Sequence, residues 1–405
     1  MGACLLLLAL LALSLGYKYT QYQTFLGKKP LRIHAQVILQ YAKGPQPYYV
    51  LKLKDPHGNL FYTTSKEDIK DLTYAFVQAY GKMAKCSFWE FLKSCYFHIF
   101  YLTLSPSKDY KNPLRTLINA QHQNPLMGNF YNTLFLADSL DTRTRQVSVG
   151  LGISHIIAIS GFHLGILSAF FYALFKIPYT FLQQRYFPYR NRTYDLGVLV
   201  LLVMGVYLVL LDFQPSFLRA FVMAVGAFAL FFSGVELLSF AFLLLVVLVG
   251  LALFPNLIRH VGFILSVCGV FYIFLFIKYT PKMPAWLYAL LFNSVIFLHM
   301  LPIVHAFFSP FSLYQLSAIL LAFVFVIFFP LTLILHALGL GGVFDPYLLK
   351  ALEWHIPTLD YLTPKWLLGL YVSLSLLAMR YKWAYIGLYV VGLGLFALLA
   401  LRVVY

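Results

Sequence analysis

Ile153-Ser154-His155-Ile156-Ile157-Ala158-Ile159-Ser160-Gly161-Phe162-His163-Leu164-Gly165-Ile166-Leu167 opens a long apolar run, yet it carries two histidines, two serines and two glycines. A plain membrane anchor has no use for such a cluster. Polar side chains facing lipid are costly and usually turn toward a bundle interior or a wet cavity. Glycine permits close backbone approach or a helix break, and at membrane depth the freed backbone groups must be covered by protein or water. The stretch reads as a site or a pore wall inside a membrane bundle.

The rest of the chain supplies that bundle. Of 405 residues, 61% are hydrophobic and 11% charged, and mean hydropathy is +0.78. Apolar runs approaching the ~20 residues that cross a bilayer fall at 153–175, 194–211, 215–233, 237–254, 260–277, 284–301, 316–338, 366–379 and 383–403. This composition predicts a polytopic α-helical membrane protein, with residues 151–405 as its transmembrane domain. The formal net charge of +16 fits positive cytoplasmic loops, anionic headgroups or a polyanionic cargo such as DNA. Charge alone does not choose among them. Lys176, Arg185, Arg190 and Arg192 place the loop after the first span in the cytoplasm, so Ile153 enters from outside. The same count leaves Arg380 and Lys382 outside, against the rule. One late span is therefore expected to be re-entrant or broken, near Leu301–Pro302 or within 339–365.

Upstream, residues 1–20 read as an uncleaved anchor, because Lys18 follows the apolar run of 4–17 where a signal peptide would place a small-residue cleavage site. Residues 28–104 alternate as strands do: Arg32–Leu39, Tyr48–Lys54, then Leu60–Thr64 after the turn Asp55-Pro56-His57-Gly58-Asn59. Phe76–Gly81 and Tyr96–Leu104 continue the pattern. Short strands at this spacing predict a small β-barrel of the OB type, facing outside the cytoplasm. Between Lys18 and His98 there are twelve Lys/Arg against five Asp/Glu. Lys43, Lys52 and Lys54 interleave with Tyr48, Tyr49 and Tyr62, the chemistry by which OB barrels hold single strands. A solvated barrel whose tyrosines merely pack is the plainer alternative. Cys86 and Cys95 share this segment and are bridge candidates in an oxidising compartment; two free thiols are the other option. Cys4 and Cys268 read as packing residues. Residues 112–150 have helical periodicity among Arg115, Arg143 and Arg145, as amphipathic helices on a membrane surface would.

A second polar stretch, Asp212-Phe213-Gln214-Pro215-Ser216-Phe217-Leu218-Arg219-Ala220-Phe221-Val222-Met223, places an arginine inside an apolar run. It needs a carboxylate, backbone carbonyls or an anionic substrate. Pro215 suits a first helical turn, with Gln214 or Ser216 near the cap. Free N–H groups there, with Arg219 about one turn inward, could receive a phosphate. A bundle-fastening Asp212–Arg219 pair is the alternative.

These two stretches resemble the competence domain of the ComEC family, the inner-membrane DNA channel of natural transformation. His155-Ile156-Ile157-Ala158-Ile159-Ser160-Gly161-Phe162-His163 is similar to its histidine-to-histidine motif, and Pro215-Ser216-Phe217-Leu218-Arg219-Ala220 to its proline-serine-arginine motif. Leu136-Ala137-Asp138 resembles the family's leucine-glycine-aspartate, with alanine for glycine. Phe254-Pro255, Gly262-Phe263-Ile264-Leu265-Ser266 and Phe308-Ser309-Pro310 through Leu338 resemble later elements, with Ile264 for the usual glutamine. The resemblance spans roughly 130–400 and implies a channel for single-stranded DNA in the bacterial inner membrane. It nominates His155, Ser160, Gly161, His163, Gln214, Ser216, Arg219 and Asp138 as the DNA path. It implies a periplasmic or surface DNA receptor, and a cytoplasmic motor or single-strand-binding protein, as partners beside DNA and the bilayer. Many members continue into a metallo-β-lactamase-like domain; this chain shows no His-x-His-x-Asp-His cluster, so no nuclease activity is expected of it.

Other chemistry finds little support. There is no Gly-x-x-x-x-Gly-Lys loop and no His-x-x-x-His or His-Glu-x-x-His spacing, so neither ATP nor a metal is expected, and no cofactor. His260, His299 and His305 are singletons that read as packing near span ends. Asp212 and Glu236 lie at span ends, and Gly339-Leu340-Gly341-Gly342 reads as a flexible connection. A hydrolase built on Ser160 lacks a nearby acid. The competing reading is a secondary transporter of a small anion with His155, His163 and Arg219 as its site, although the internal repeats that would favour it are not evident.

Overall fold

The computed structural model describes residues 2–27, 30–43, 48–66, 70–107, 109–231 and 239–404. Glu236 lies outside these, as does the side chain of Cys4. The chain divides into two units, Met1–Leu117 with Val247–His260, and Ile118–Val246 with Val261–Tyr405.

The first unit is built on a closed five-stranded barrel, the OB-like fold expected of 28–104. Its strands are β1 (Leu31–Lys43), β2 (Tyr48–Lys54), β3 (Leu60–Ser65), β4 (Phe76–Met83) and β5 (Cys95–Leu104), in the order β1-β2-β3-β5-β4. Neighbours run antiparallel except β3 and β5, which pair in parallel. Alternation decides the faces: Ile33, Ala35, Val37, Leu51, Leu53, Phe61, Val77, Ala79 and Phe97 point inward and are buried. The Asp55–Asn59 turn forms as read, with Gly58 at φ +76°, a conformation that suits glycine. Asp55 accepts from the Asn59 backbone N–H and side-chain amide at 2.7 and 2.8 Å.

Helix α1 (Gly2–Leu26) does not stop at residue 20. Tyr22 and Phe25 lie one turn apart on its last part and reach the barrel core. Ring centroids are 5.1 Å apart for Phe25 and Phe61 and 5.5 Å for Tyr22 and Phe91. Lys18, read as the flank of the anchor, is buried; its Nζ donates to the His57 carbonyl at 2.9 Å and to Asn59 Oδ1 at 2.8 Å. The anchor and the barrel are thus one packed unit, because aromatic residues rather than a linker follow the apolar run. Between β4 and β5, α2 (Phe88–Phe91) is held by a Ser87–Glu90 capping box. A Cys86–Cys95 disulfide, with Cα atoms 6.0 Å apart, closes the same loop.

Helices make up nearly all of the second unit. After α3 (Asn112–Asn119) come α4 (Pro125–Leu136), α5 (Thr142–Gly150) and the short α6 (Ser154–Ile157). The surface-lying amphipathic helices expected over 112–150 are not what α4 is. Most of it is buried, including Met127, Phe130, Tyr131, Leu134 and Phe135, because its apolar residues surround the helix rather than form a stripe. Then follow α7 (Gly161–Tyr186), α8 (Arg192–Leu210), α9 (Pro215–Phe231), α10 (Phe240–Leu253), α11 (Val261–Tyr279), α12 (Ala285–Val304), α13 (Ser317–Ala337), α14 (Asp345–Leu352), α15 (Lys365–Ala378) and α16 (Lys382–Val404).

Six of these are long and apolar enough to cross a membrane: α7, α8, α11, α12, α13 with its leading turn, and α16. The expected spans on α9, α10 and α15 are shorter apolar helices. The span expected at 153–175 breaks after α6 and starts afresh at Gly161. Lys176 and Arg185, expected in a loop, lie on α7; only Arg190 is in the connection, where it holds Asp195 at 2.6 Å. Residues 339–342 are no flexible connection either. Gly341 is buried and its N–H donates to Gln121 Oε1 at 2.8 Å. His299 and His305 are fully enclosed, His299 among Tyr272, Tyr385 and Tyr389. Cys268 is partly buried against the same cluster.

Candidate functional site

Three stretches of the second unit, far apart in sequence, meet where α7, α9 and α11 pack. Helix α7 begins with a capping box in which the N3 residue is a histidine. Ser160 Oγ accepts the Phe162 N–H at 3.3 Å, and His163 Nδ1 accepts the Ser160 N–H at 3.3 Å. Two of the helix's unbonded N–H groups are thereby satisfied. The Ser-x-x-His spacing is the signal that could have revealed this. His163 is wholly buried, edge-on to Phe325 and Phe329 at 5.1 and 4.7 Å, and its Nε2 has no hydrogen-bond partner among the described residues.

Gly161 sits against α9. A Cβ at that position would lie 3.0 Å from the Ala220 Cβ and 3.2 Å from Arg219 Nη2. Glycine is needed here for the close approach of two helices, not for its dihedral freedom. The helix α9 itself follows a tight reversal in which Asp212 and Phe213 take φ of 52° and 55°. Gln214 precedes Pro215, which opens the helix, and the Ser216 hydroxyl donates to the Gly262 carbonyl on α11 at 3.4 Å. Arg219 Nε donates to Ser266 Oγ at 2.8 Å, and Nη1 lies 3.0 Å from Met223 Sδ.

Arg219 is 5% exposed, and among the described residues no ion pair includes it, so the Asp212–Arg219 pair is not made. Its guanidinium adjoins Gly161, at the helix end where the α7 dipole is positive. A buried cation in such a place costs several kcal/mol unless an anion or water reaches it.

The nominated path residues are not gathered into one open passage. Gly161, Ser216 and Arg219 share the α7–α9–α11 junction, Gln214 stands at its entrance in sequence, and Ser160 and His163 cap α7. His155 lies on α6 with an exposed side chain, close enough to His163 for the two imidazoles to interact. Asp138 is buried just beyond α4. Nor do His163 and Arg219 border an open channel; both are enclosed. A cavity of about 180 Å³ is lined by apolar groups such as Phe130, Ile153, Ile156 and Phe325, the last of which also packs on His163.

On the barrel, pairing register sorts the other candidates. Lys52, Tyr62 and Tyr96 lie side by side across β2, β3 and β5, with Lys52 Nζ 5.5 Å from the Tyr62 ring centroid. Lys43 and Tyr48 are partners at one end, and Lys54 faces Leu60 at the other. Tyr49 has the parity of the inward residues Leu51 and Leu53, so it does not belong to the outer face. A second outward row was not anticipated. Arg32, Tyr80 and Tyr101 are register neighbours across β1, β4 and β5. Tyr80 and Tyr101 stack at 5.0 Å, and Arg32 donates to the Tyr101 hydroxyl at 3.1 Å. A bulge at Tyr80/Gly81 re-aims β5 and brings Tyr101 beside Tyr80, which alternation alone does not reveal. His98 and Lys82 pair between the two rows, and Tyr96 meets His98 edge-on at 5.2 Å.

A family model described as Competence protein matches residues 135–403, about two-thirds of the chain. It contains the whole α7–α9–α11 junction. No curated protein matches, and no solved structure does. The chain, a multi-pass helical membrane protein with an N-terminal barrel, belongs to the competence protein family, whose role is in DNA uptake.

Proposed function

We propose that the protein is an inner-membrane channel that passes single-stranded DNA into the cytoplasm. One observation carries this reading: Arg219 is buried beside the positive end of α7, and among the described residues no carboxylate pairs with it. A passing phosphate supplies the missing charge and leaves again, because a single cation holds it without trapping it. The junction described above is then the closed state, and α7, α9 and α11 part when a strand enters. Outside the cytoplasm the barrel offers Lys52 and Arg32 to phosphates and Tyr62, Tyr96, Tyr80 and Tyr101 to bases, a sequence-independent and salt-sensitive grip. The reading assigns conduction with no covalent step. A DNA receptor delivers the strand, and a cytoplasmic motor or single-strand-binding protein draws it through. A carrier for a small anion would use Arg219 but leave the barrel face idle.

The test is entry of labelled DNA into cells lacking the chromosomal copy and carrying variants on a plasmid. Arg219→Ala abolishes entry, lowering it at least about 100-fold, as loss of a desolvated charge contact of some 3 kcal/mol would. Arg219→Lys, which keeps the charge and loses the bond to Ser266, retains a measurable fraction. Normal entry with Arg219→Ala refutes the proposal.

A further inference from the structure

His122, His336 and Asp345 meet inside the helical unit, although 214 residues separate the two histidines and 223 separate His122 from the aspartate. His122 Nδ1 is 2.9 and 3.0 Å from the two carboxylate oxygens of Asp345, the first residue of α14. Its Nε2 is 3.1 Å from Nε2 of His336, in the last turn of α13. His336 Nδ1 in turn lies 2.7 Å from the Thr332 carbonyl oxygen. The Tyr131 ring of α4 stacks on His122 at 4.8 Å and contacts His336 at 4.5 Å. The His122 side chain is 1% exposed.

Donor counting decides the protonation. A carbonyl and a carboxylate oxygen only accept, so both Nδ1 atoms carry hydrogen. A neutral imidazole has one N–H, so two neutral rings would turn bare lone pairs toward each other across 3.1 Å. One additional proton removes the conflict, since one Nε2 then donates and the other accepts. The ring pair then carries a single positive charge beside the negative charge of Asp345, and the group is neutral as a whole. We infer that His122, His336 and Asp345 form a buried site that binds one proton between the two Nε2 atoms. Among the described residues, the titratable groups facing it are Tyr131 from α4, Asp345 from α14 and the two histidines. Burial and Asp345 push the Tyr131 hydroxyl up, so it stays neutral and does not compete.

The bound proton ties the end of α13 to α14 and to the segment before α4. Gln121 completes the tie, donating to the His336 carbonyl at 3.1 Å and accepting from Gly341. Burial at His336 works against the extra charge, whereas the Asp345 carboxylate and the Nε2–Nε2 hydrogen bond work for it. On this proposal the latter prevail, and the folded state keeps the proton at a pH where unfolded histidines have released it. The stability it contributes is therefore full in mild acid and is lost as pH rises through release from the pair.

The experiment is thermal unfolding of the full chain in detergent or nanodiscs from pH 6 to 9. Loss of one bound proton lowers the wild-type Tm by about 1–2 °C per pH unit once release begins. His336→Gln supplies a permanent amide donor to His122 Nε2, so its Tm is flatter across that range. An unchanged slope in His336→Gln overturns the inference. Should that variant not fold, ¹⁵N spectra of histidine-labelled wild type at pH 6.5 decide. A proton shared between two Nε2 atoms supports the site, and two bare Nε2 signals from this pair overturn it.

Discussion

Ala137 stands at the C-cap of α4 with φ 61° and ψ 29°, the left-handed region that suits glycine. The family that the chain resembles has glycine there, in its leucine-glycine-aspartate motif. The structure gives that motif a physical meaning: a stop that turns the chain so that Asp138 is buried. An alanine held in this conformation costs roughly 1–2 kcal/mol. Ala137→Gly is accordingly expected to stabilise the protein by up to about 1 kcal/mol after the entropy of the freer unfolded chain is subtracted, read as a rise in Tm. Ser160 and His163 teach a related lesson. Their polarity inside an apolar run pointed to a pore wall, whereas their hydrogen bonds close a helix start. Ser160→Ala should cost about 1 kcal/mol for the lost cap, measured by denaturant or thermal unfolding, before any effect on transport is counted. The sequence exposes that polar residues are present; it does not say whether they serve the backbone or a cargo.

At the level of elements, strand alternation made the barrel legible, because a period of two and the Asp55–Asn59 turn are local signals. The outer face was only half legible. Lys52 and Tyr62 were visible on adjacent strands, but Arg32, Tyr80 and Tyr101 are brought together by a barrel closure and a bulge that join distant segments. Binding of fluorescent single-stranded oligonucleotide to the full chain should weaken about 10-fold or more in Lys52→Glu/Tyr62→Ala. That figure is one lost stacking contact and one reversed charge. The slope of log affinity against log salt should also become shallower by about 0.7 for each phosphate contact removed. Equal affinity and an equal salt slope in the variant would place the strand elsewhere. Helix lengths were less readable than their number of apolar residues, because Ser160 begins a new helix in the middle of the first expected span.

For the molecule as a whole, composition fixed the membrane class, while the meeting of Gly161, Arg219 and Ser266 needed the packing of α7, α9 and α11. The histidine pair was invisible for the same reason: no local motif links residues more than 200 positions apart. Arg219 is buried with no ion-pair partner among the described residues, and the proposed channel requires that a passing strand supply the counter-charge. Passage of fluorescent single-stranded DNA into liposomes containing the purified chain, scored as label protected from external nuclease, tests this most directly. With a membrane potential or a lumenal single-strand-binding protein to draw the strand, the wild type is expected to protect single strands and Arg219→Ala to protect none. Equal protection by both proteins, or none by the wild type under any driving force, would contradict the account.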